Sequence, residues 1–257
     1  MSGEIEIQKL PPLREIWQDT LGWQPNERQQ QQFQRLYEEI LLGNRQLNLT
    51  RITEPMEFWE KHLWDSLAGV VVAAEREENR PLRGIDIGTG AGFPGIPVAI
   101  AFPNWTVTLL DSTRKKMTFL ATLLTQLGIN NLKTLIGRAE EIGQQQLHRE
   151  AYNLALIRAV GSASTCAEYA LPLLKVGGLA IVYRGHWSEG DTKILESAVT
   201  QLGGKIESIQ KLTTPLTQSV RHYVYLRKFS RTPAKFPRPI GVPNQKPLST
   251  SDGCLNF

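Results

Sequence analysis

The spacing of apolar residues divides the chain into a helical first part and a longer second part in which short strands and helices alternate. Apolar residues recur at helical spacing over 13–17 and over 33–41, which predicts two amphipathic helices separated at Gly22. A third helix is predicted over 56–74, with Thr53 as its N-cap. The first part is therefore predicted to be helical.

The second part begins at residue 82, where short apolar runs typical of buried strands alternate with helical stretches. The predicted strands cover 83–87, 107–110, 133–136, 154–157 and 179–183, and the predicted helices cover 95–102, 114–127, 163–174 and 191–202. This alternation predicts an α/β fold, with a mostly parallel central sheet and helices on both faces. Two further runs, 206–212 and 222–227, predict a final antiparallel hairpin at the sheet edge.

The end of the chain is rich in proline and in basic residues. Proline at this density blocks regular secondary structure, so an extended or partly disordered tail is predicted. The chain is therefore predicted to divide into three parts: an N-terminal helical extension packed on the core (1–80), a central α/β domain (81–229) and a Pro-rich basic tail (230–257).

Composition narrows the class of protein. The 257 residues are 41% hydrophobic and 21% charged, as is typical of a globular chain. No apolar run approaches the roughly 20 residues that span a bilayer, and the N-terminus does not resemble a secretory signal, so a soluble, cytoplasmic protein is expected. Two cysteines, Cys166 and Cys254, lack metal-ligand spacing, and no metal site is expected.

Positive charge is concentrated in the last third of the chain. The whole chain carries +4, whereas residues 205–246 hold nine Lys/Arg and a single acid, Glu207, and so carry +8. A basic surface on a mildly acidic body indicates a polyanion partner such as RNA or DNA. The alternative, that basic residues only keep an exposed tail soluble, has equal weight on charge alone.

The strongest motif is the glycine-rich stretch 84–95, Gly-Ile-Asp-Ile-Gly-Thr-Gly-Ala-Gly-Phe-Pro-Gly, which follows the first predicted strand. Alternate glycines at Gly88 and Gly90 allow a tight turn whose amides can approach a ligand. Both dinucleotides and S-adenosylmethionine are bound by such turns. Asp86 beside the turn would repel a pyrophosphate and attract a positively charged sulfonium, and Pro94 lacks the amide that a pyrophosphate requires. The stretch therefore favours S-adenosylmethionine.

Three further segments follow predicted strands, at the sheet edge where α/β folds bind ligands. Asp111 ends the second strand and can accept hydrogen bonds from ribose hydroxyls, while Ser112 and Thr113 can cap the next helix or face the cofactor. The 137–141 loop can meet an adenine amine, although a solvated charged loop is a serious alternative. Arg158 ends an apolar strand and is interpreted as functional.

Motifs along most of the chain resemble those of one family. They are Asn48-Leu49-Thr50, Lys61-His62-x-x-Asp65-Ser66, 86–97, Leu109-Leu110-Asp111-Ser112, Gly137-Arg138-Ala139-Glu140 and Arg158-Ala159. The sequence resembles the bacterial small-subunit ribosomal RNA methyltransferase G family, also called glucose-inhibited division protein B.

The resemblance implies a Rossmann-like, class I S-adenosylmethionine-dependent fold and methyl transfer to N7 of a guanine in 16S ribosomal RNA, within the small ribosomal subunit. The cofactor-binding positions that it implies, together with the acid and a glycine of the turn, are Asp86, Gly88, Gly90, Phe93, Asp111, Ser112, Thr113, Ala139, Glu140 and Arg158.

Chemistry at guanine N7 needs no general base, because that nitrogen carries a lone pair and no proton. His62 and Asp65 lie three apart on a predicted helix, hence on one face, and can pair with Arg158 to position the target base. Without the resemblance, a buried histidine and a surface acid would be the preferred interpretation of His62 and Asp65.

Arg184, Lys235 and Arg238 are predicted to contact RNA phosphates. Arg184 stands where members of the family often carry lysine, which keeps the charge but changes its geometry. A monomer is expected, without a membrane partner. Two other interpretations stay open: a nicotinamide-dependent oxidoreductase, and a noncatalytic RNA-binding or ribosome-assembly factor that retains the fold.

Overall fold

A computed structural model describes residues 8–74 and 81–249, and its centre is a seven-stranded sheet. The strands are β1 (Leu82–Ile87), β2 (Trp105–Asp111), β3 (Leu132–Ile136), β4 (Tyr152–Arg158), β5 (Leu174–Arg184), β6 (Gly204–Thr213) and β7 (Val220–Lys228). Their order across the sheet is β3-β2-β1-β4-β5-β7-β6. Predictions for 1–7, 75–80 and 250–257, Cys254 included, concern residues outside the described ranges.

Helices precede the sheet and connect its strands. They are α1 (Arg14–Leu21), α2 (Glu27–Leu47), α3 (Pro55–Phe58), α4 (Asp65–Ala74), α5 (Gly95–Ala101), α6 (Arg114–Leu127), α7 (Ala139–Ile142), α8 (Ala163–Ala170), α9 (Glu189–Gln201) and α10 (Val242–Gln245). A π-helix (Trp59–Trp64) joins α3 to α4, and a 3₁₀ turn (Leu171–Leu173) follows α8.

The predicted α/β architecture is confirmed. β1 to β5 run parallel, and β7 is antiparallel to both β5 and β6. The final hairpin is therefore at the sheet edge, with its second strand next to the parallel core. Every predicted strand is present, and each begins one to five residues before its predicted start. In β5 the added residues 175–177 are exposed, so the strand continues where the apolar pattern does not.

The third predicted helix is interrupted by the π-helical turn. The predicted N-cap at Thr53 is wrong, since α3 begins at Pro55 after Glu54, and the Thr53 carbonyl accepts a hydrogen bond from Tyr37 Oη at 2.7 Å. In the π-helix the Asp65 amide bonds to the carbonyl five residues earlier. Such turns widen a helix locally and are frequent at functional sites.

Two hydrophobic clusters cover the two faces of the sheet. One contains α1, α2, the 55–74 helical segment, α5 and α6, with Trp17 and Trp59 among its fully buried side chains. The other contains α7, α8 and α9, and it also includes Phe236 and Leu248 from beyond the sheet. The N-terminal helices are thus part of the core on one face.

The Pro-rich segment differs from its prediction, because residues 230–249 pack on the domain rather than extend from it. Arg149 donates hydrogen bonds to the carbonyl groups of Thr232, Pro233 and Phe236 at 2.7–3.2 Å. Proline removes donors, but the carbonyl groups of the segment remain free to accept from side chains of the body. The prolines prevent regular structure over most of the segment without preventing its packing.

Candidate active site

The glycine-rich stretch forms a tight turn between β1 and α5. Gly88, with φ of +70°, occupies the left-handed region, and a Cβ atom there would lie 2.6 Å from the Val160 side chain. The Gly88 amide and the next amide both donate to the Leu110 carbonyl, at 2.8 and 3.0 Å. The turn therefore brings the end of β1 against the ends of β2 and β4, and only glycine fits at its first position.

Asp86 is fully buried and fixes this turn. Its Oδ2 accepts hydrogen bonds from Thr89 Oγ1 at 2.5 Å and from the Gly95 amide at 2.8 Å. Its Oδ1 has no partner within the described ranges. Burial raises the pKa of Asp86 to about 6, although the two hydrogen bonds and Arg158 oppose the shift. An ionisable carboxylate with an unused oxygen is thus placed beneath the turn.

Asp111 ends β2 and is held by two backbone amides. Gly90 donates to Oδ2 at 3.0 Å, and Thr113 donates to Oδ1 at 2.8 Å. Thr113 is the N-cap residue of α6, as predicted, but its side chain makes no capping hydrogen bond. The two amides fix the orientation of the carboxylate.

A cleft of about 240 Å³ opens at this edge of the sheet. It is bordered by residues from the ends of β1 to β4, from α8 and from the C-terminal segment: Ile87, Gly88, Leu110, Asp111, Ser112, Gly137, Arg138, Ala139, Glu140, Val160, Gly161, Tyr169 and Asn244. Of the predicted cofactor positions, Gly88, Asp111, Ser112, Ala139 and Glu140 border it, whereas Asp86, Gly90, Phe93, Thr113 and Arg158 do not.

Glu140, in the first turn of α7 after β3, is buried and charged. Its Oε1 accepts hydrogen bonds from Tyr169 Oη and from the Gly241 amide, both at 3.0 Å, and lies 3.4 Å from the Arg138 guanidinium. Burial acts to raise its pKa, but the hydrogen bonds and the nearby arginine outweigh burial, and the pKa lies below its usual value. The alternative of a solvated charged loop is wrong at Glu140, which is 3% exposed.

A second group of predicted residues meets beside the turn. Arg158 Nη1 lies 2.9 Å from Asp65 Oδ2, and Nη2 lies 3.4 Å from His62 Nδ1. The same Nη1 donates to the Lys61 carbonyl, in the π-helix, at 3.0 Å. The Phe93 ring stacks on the His62 ring with centroids 4.3 Å apart. The predicted face of His62 and Asp65 is therefore confirmed as a contact surface for Arg158.

His62 is neutral in this environment. Burial, together with the positive charges of Arg158 and Lys61, lowers its pKa to about 3. Because a guanidinium only donates, Nδ1 must accept, and Nε2 carries the proton and donates to Thr50 Oγ1 at 2.8 Å. Asp65 Oδ1 accepts from Tyr223 Oη at 3.0 Å. The atoms that join His62, Asp65 and Arg158 therefore have fixed donor and acceptor roles.

The three predicted RNA contacts lie in different places. Arg184 ends β5 at the same sheet edge as the cleft and donates to the Gly161 carbonyl at 2.8 Å. Lys235 lies against Phe236, whose carbonyl is bound by Arg149, and Arg149 precedes β4 at the opposite edge.

Arg238 is bound within the protein. Its Nη2 lies 2.7 Å from Oε2 of Glu168, which is fully buried, and its Nε lies 2.9 Å from Oε1. Leaving that carboxylate unpaired would be costly. The guanidinium of Arg238 is therefore held by Glu168 rather than presented to solvent.

Sequence reasoning missed several residues of the site. Thr50 belongs to the Asn48-Leu49-Thr50 motif, which predicted no role for it, and its Oγ1 accepts a hydrogen bond from His62 Nε2. Tyr169 and Tyr223, which bind Glu140 and Asp65, lie in segments interpreted only as helix and strand. Asn244 borders the cleft from a segment predicted to be extended, and nothing in the sequence pattern indicates its position.

Cys166 is a small core residue. It is buried, and its thiol donates to the Val160 carbonyl at 2.7 Å. Burial raises its pKa to about 12, so the nucleophilic thiolate does not form near neutral pH. Within the described ranges no helix is long and apolar enough to cross a membrane, and no group of His, Cys, Asp or Glu has the arrangement of a metal site.

The sequence of this chain is similar to those of known proteins. A family model described as rRNA small subunit methyltransferase G matches residues 29–222. A protein named Ribosomal RNA small subunit methyltransferase G from Trichormus variabilis is 65% identical over 241 residues, covering 93% of this chain and 98% of that protein. Its namesake from Microcystis aeruginosa is 53% identical over 222 residues, covering 85% and 99% respectively.

Among solved structures the likeness is in the fold. A predicted O-methyltransferase from Agrobacterium tumefaciens is 20% identical, with a TM-score of 0.50 and coverage of 66% of this chain and 80% of that chain. A putative sarcosine dimethylglycine methyltransferase from Galdieria sulphuraria is 11% identical, with a TM-score of 0.50 and coverage of 65% and 86%. The α/β sheet is thus that of the class I methyltransferases.

Proposed function

The chain belongs to the ribosomal RNA small subunit methyltransferase G family and methylates RNA of the small ribosomal subunit, and we propose that it transfers the methyl group of S-adenosylmethionine to N7 of a guanine in 16S ribosomal RNA. Family membership decides against the oxidoreductase and the noncatalytic factor. Its ribosomal substrate would place the protein in the cytoplasm.

The residues at the cleft fit S-adenosylmethionine. Asp111, fixed by two amides, would accept hydrogen bonds from the ribose hydroxyls. Apolar side chains such as Leu110 and Val160 would hold the base, with Glu140 beside it. The unused oxygen of Asp86 gives the turn a negative charge that suits a cation. When bound, S-adenosylmethionine supplies an electrophilic methyl group on a positively charged sulfur.

The observation that carries the guanine proposal is the cluster of His62, Asp65 and Arg158 beside the glycine turn. Guanine N7 needs no residue to remove a proton, and His62 has its accepting nitrogen engaged and its pKa lowered to about 3. The cluster is built to hold groups in place rather than to exchange protons. Positioning of two reactants can supply much of the rate for such a transfer.

The basic surface beside the cluster supports an RNA substrate. Arg184 ends β5, and in the register of the sheet it is opposite His222 of β7, which in turn is opposite Lys211 of β6. Arg221, next to His222, is held within the protein, because its Nε lies 3.5 Å from Asp65 Oδ1. Arg184 and Lys211 lie at the carboxyl edge of the parallel strands, where the cleft opens. We propose that they contact phosphates around the target nucleotide.

The test is transfer of radiolabelled methyl groups to small ribosomal subunits and to naked 16S RNA, both isolated from a strain that lacks the modification. Mass spectrometry of the labelled nucleosides should show N7-methylguanosine. Label in another nucleoside would overturn the N7 assignment. Binding of S-adenosylhomocysteine without transfer to either RNA would leave the cofactor proposal standing and overturn the substrate proposal.

A further inference from the structure

The C-terminal 238–245 segment runs over α8 towards the cofactor cleft. It is anchored at its start by the Arg238–Glu168 ion pair at 2.7 Å. Near its end Thr165 Oγ1 donates to the Pro243 carbonyl at 2.9 Å, and Pro243 is buried. The family model ends at residue 222, so the segment lies outside the part of the chain that the model matches.

Two contacts connect this segment to the cleft. The Gly241 amide donates to Oε1 of Glu140 at 3.0 Å, and this bond helps to keep the Glu140 carboxylate charged. Asn244 borders the cleft itself, and its Oδ1 lies 3.0 Å from the position that a Cβ atom on Gly161 would occupy. A larger residue at Gly161 would therefore displace the amide of Asn244.

The Asn244 side chain has a free hydrogen-bonding capacity. Among the residues that the structure describes, its amide has no hydrogen-bond partner, although it stands beside a cleft with several polar groups. A carboxamide offers one acceptor and two donors, a combination suited to the edge of a purine. Glu140, on the same cleft, can only accept while it is ionised.

We propose that the 238–245 segment is a wall of the cofactor site and that Asn244 is a specificity-determining residue that binds the base of S-adenosylmethionine. This inference rests on the proposed function. Asp111, which would bind the ribose, shares the cleft with Ala139, Glu140 and Asn244, whereas none of the cluster residues His62, Asp65 and Arg158 borders it. The methyl group has to face the cluster, so the base occupies the end at Asn244.

The experiment compares Asn244→Ala with the wild-type full chain by isothermal titration calorimetry. The ligands are S-adenosylhomocysteine and 5′-methylthioadenosine, which contains the base and ribose but lacks the amino acid. Loss of one hydrogen bond should weaken the binding of both ligands roughly 3- to 10-fold. Gln245→Ala is the matched control, because it removes a neighbouring amide that does not border the cleft. Asn244 is exposed, so the fold should tolerate the change.

The outcomes separate this inference from the proposed function. If the wild type binds S-adenosylhomocysteine and Asn244→Ala binds as tightly as Gln245→Ala, the assignment of Asn244 is wrong. If Asn244→Ala weakens only S-adenosylhomocysteine, the segment contacts the amino-acid end and the base assignment is overturned. A wild type that binds neither ligand would overturn the cofactor proposal and this inference together.

Hydrogen exchange gives a second readout. In a segment that does not contact the cofactor, the exchange rates would be the same with and without ligand. Saturation with S-adenosylhomocysteine should slow exchange of the amides of Gly241 and Asn244 at least threefold in the wild type, because a ligand packed against the segment opposes its local opening. The slowing should be smaller in Asn244→Ala. Equal exchange with and without ligand in the wild type would contradict the proposed wall.

Discussion

Arg158 Nη1 and Asp65 Oδ2 lie 2.9 Å apart and join the end of β4 to the start of α4 across 93 positions of sequence. Both side chains are mostly buried, with 16% and 8% of their surfaces exposed. The other Asp65 oxygen binds Tyr223 in β7. The pair therefore connects the N-terminal helices to two strands of the sheet, and these helices form one side of the active site.

Asp65→Asn should lower both stability and activity. The substitution keeps the shape of the side chain but leaves Arg158 without its counter-charge in a mostly buried position. We expect a loss of about 3 kcal/mol in the free energy of unfolding, measured by urea denaturation. Glu57→Gln is the control, because the Glu57–Lys61 pair is on the surface and should contribute less than about 1 kcal/mol. Equal losses in the two variants would contradict the importance of the buried pair.

His62 should make the folded protein sensitive to acid. Its pKa is about 3 when folded and 6.5 in the unfolded chain, so the unfolded state binds the proton first as pH falls. The contribution to stability is complete above pH 6.5 and is lost as pH falls towards 3. His62→Gln cannot titrate, so its free energy of unfolding should fall less between pH 7 and 5, by up to about 1.4 kcal/mol per pH unit.

The His62 prediction is measured as the difference between two denaturation series, wild type and His62→Gln, at pH 7, 6 and 5. Asp86 titrates in the same range with the opposite sign, because its folded pKa is raised to about 6. Its stabilising effect is lost as pH rises, and it cancels in the difference where the two sites act independently. If the free energy of unfolding depends on pH in the same way in the two proteins, His62 is not held neutral.

Asp86→Asn should separate the charge of this residue from its support of the turn. A carboxamide oxygen can still accept from Thr89 and Gly95, so the turn should persist. Loss of the negative charge should weaken binding of the positively charged S-adenosylmethionine about fivefold more than binding of uncharged-sulfur S-adenosylhomocysteine. Calorimetry at pH 7.5 measures this ratio, and an unchanged ratio would limit Asp86 to a structural role.

The preference for S-adenosylmethionine over S-adenosylhomocysteine should also depend on pH in the wild type. With the Asp86 pKa near 6, the carboxylate is ionised at pH 7.5 and largely protonated at pH 5. The wild-type preference for S-adenosylmethionine should therefore fall towards that of Asp86→Asn as the solution is acidified, while the variant should show little change.

Asp111→Ala should weaken S-adenosylhomocysteine binding roughly 10- to 100-fold, because it removes a charged acceptor for the ribose hydroxyls. Since Asp111 also binds the Gly90 and Thr113 amides, thermal unfolding of the variant has to be measured alongside calorimetry. Unchanged affinity would restrict Asp111 to fixing the turn and the start of α6.

Arg184→Ala should weaken binding to the small ribosomal subunit and reduce the slope of log affinity against log salt concentration by about 1. Lys235→Ala removes the same charge near the opposite edge of the sheet and tests the tail as an RNA contact. Filter binding between 50 and 300 mM salt measures both. A larger loss of affinity in Lys235→Ala than in Arg184→Ala would place the RNA on the side of the Pro-rich tail.

The sequence alone determined the α/β fold, the antiparallel hairpin at the edge of its sheet and the location of the glycine turn. Periodicity is local, and so are the conformational demands of glycine, so both can be read from neighbouring residues. The helical face shared by His62 and Asp65 was also predictable, because positions three apart lie on one side of a helix.

Only the tertiary structure decided which distant residues meet. Arg238 and Lys235 are both basic residues of one Pro-rich segment, yet Arg238 is bound to buried Glu168 whereas Lys235 lies against Phe236 on the surface. Asn244 reaches the cleft because the carbonyls of its segment accept from side chains of the body. Such contacts depend on which surfaces the folded body offers, a long-range property that composition and spacing do not encode.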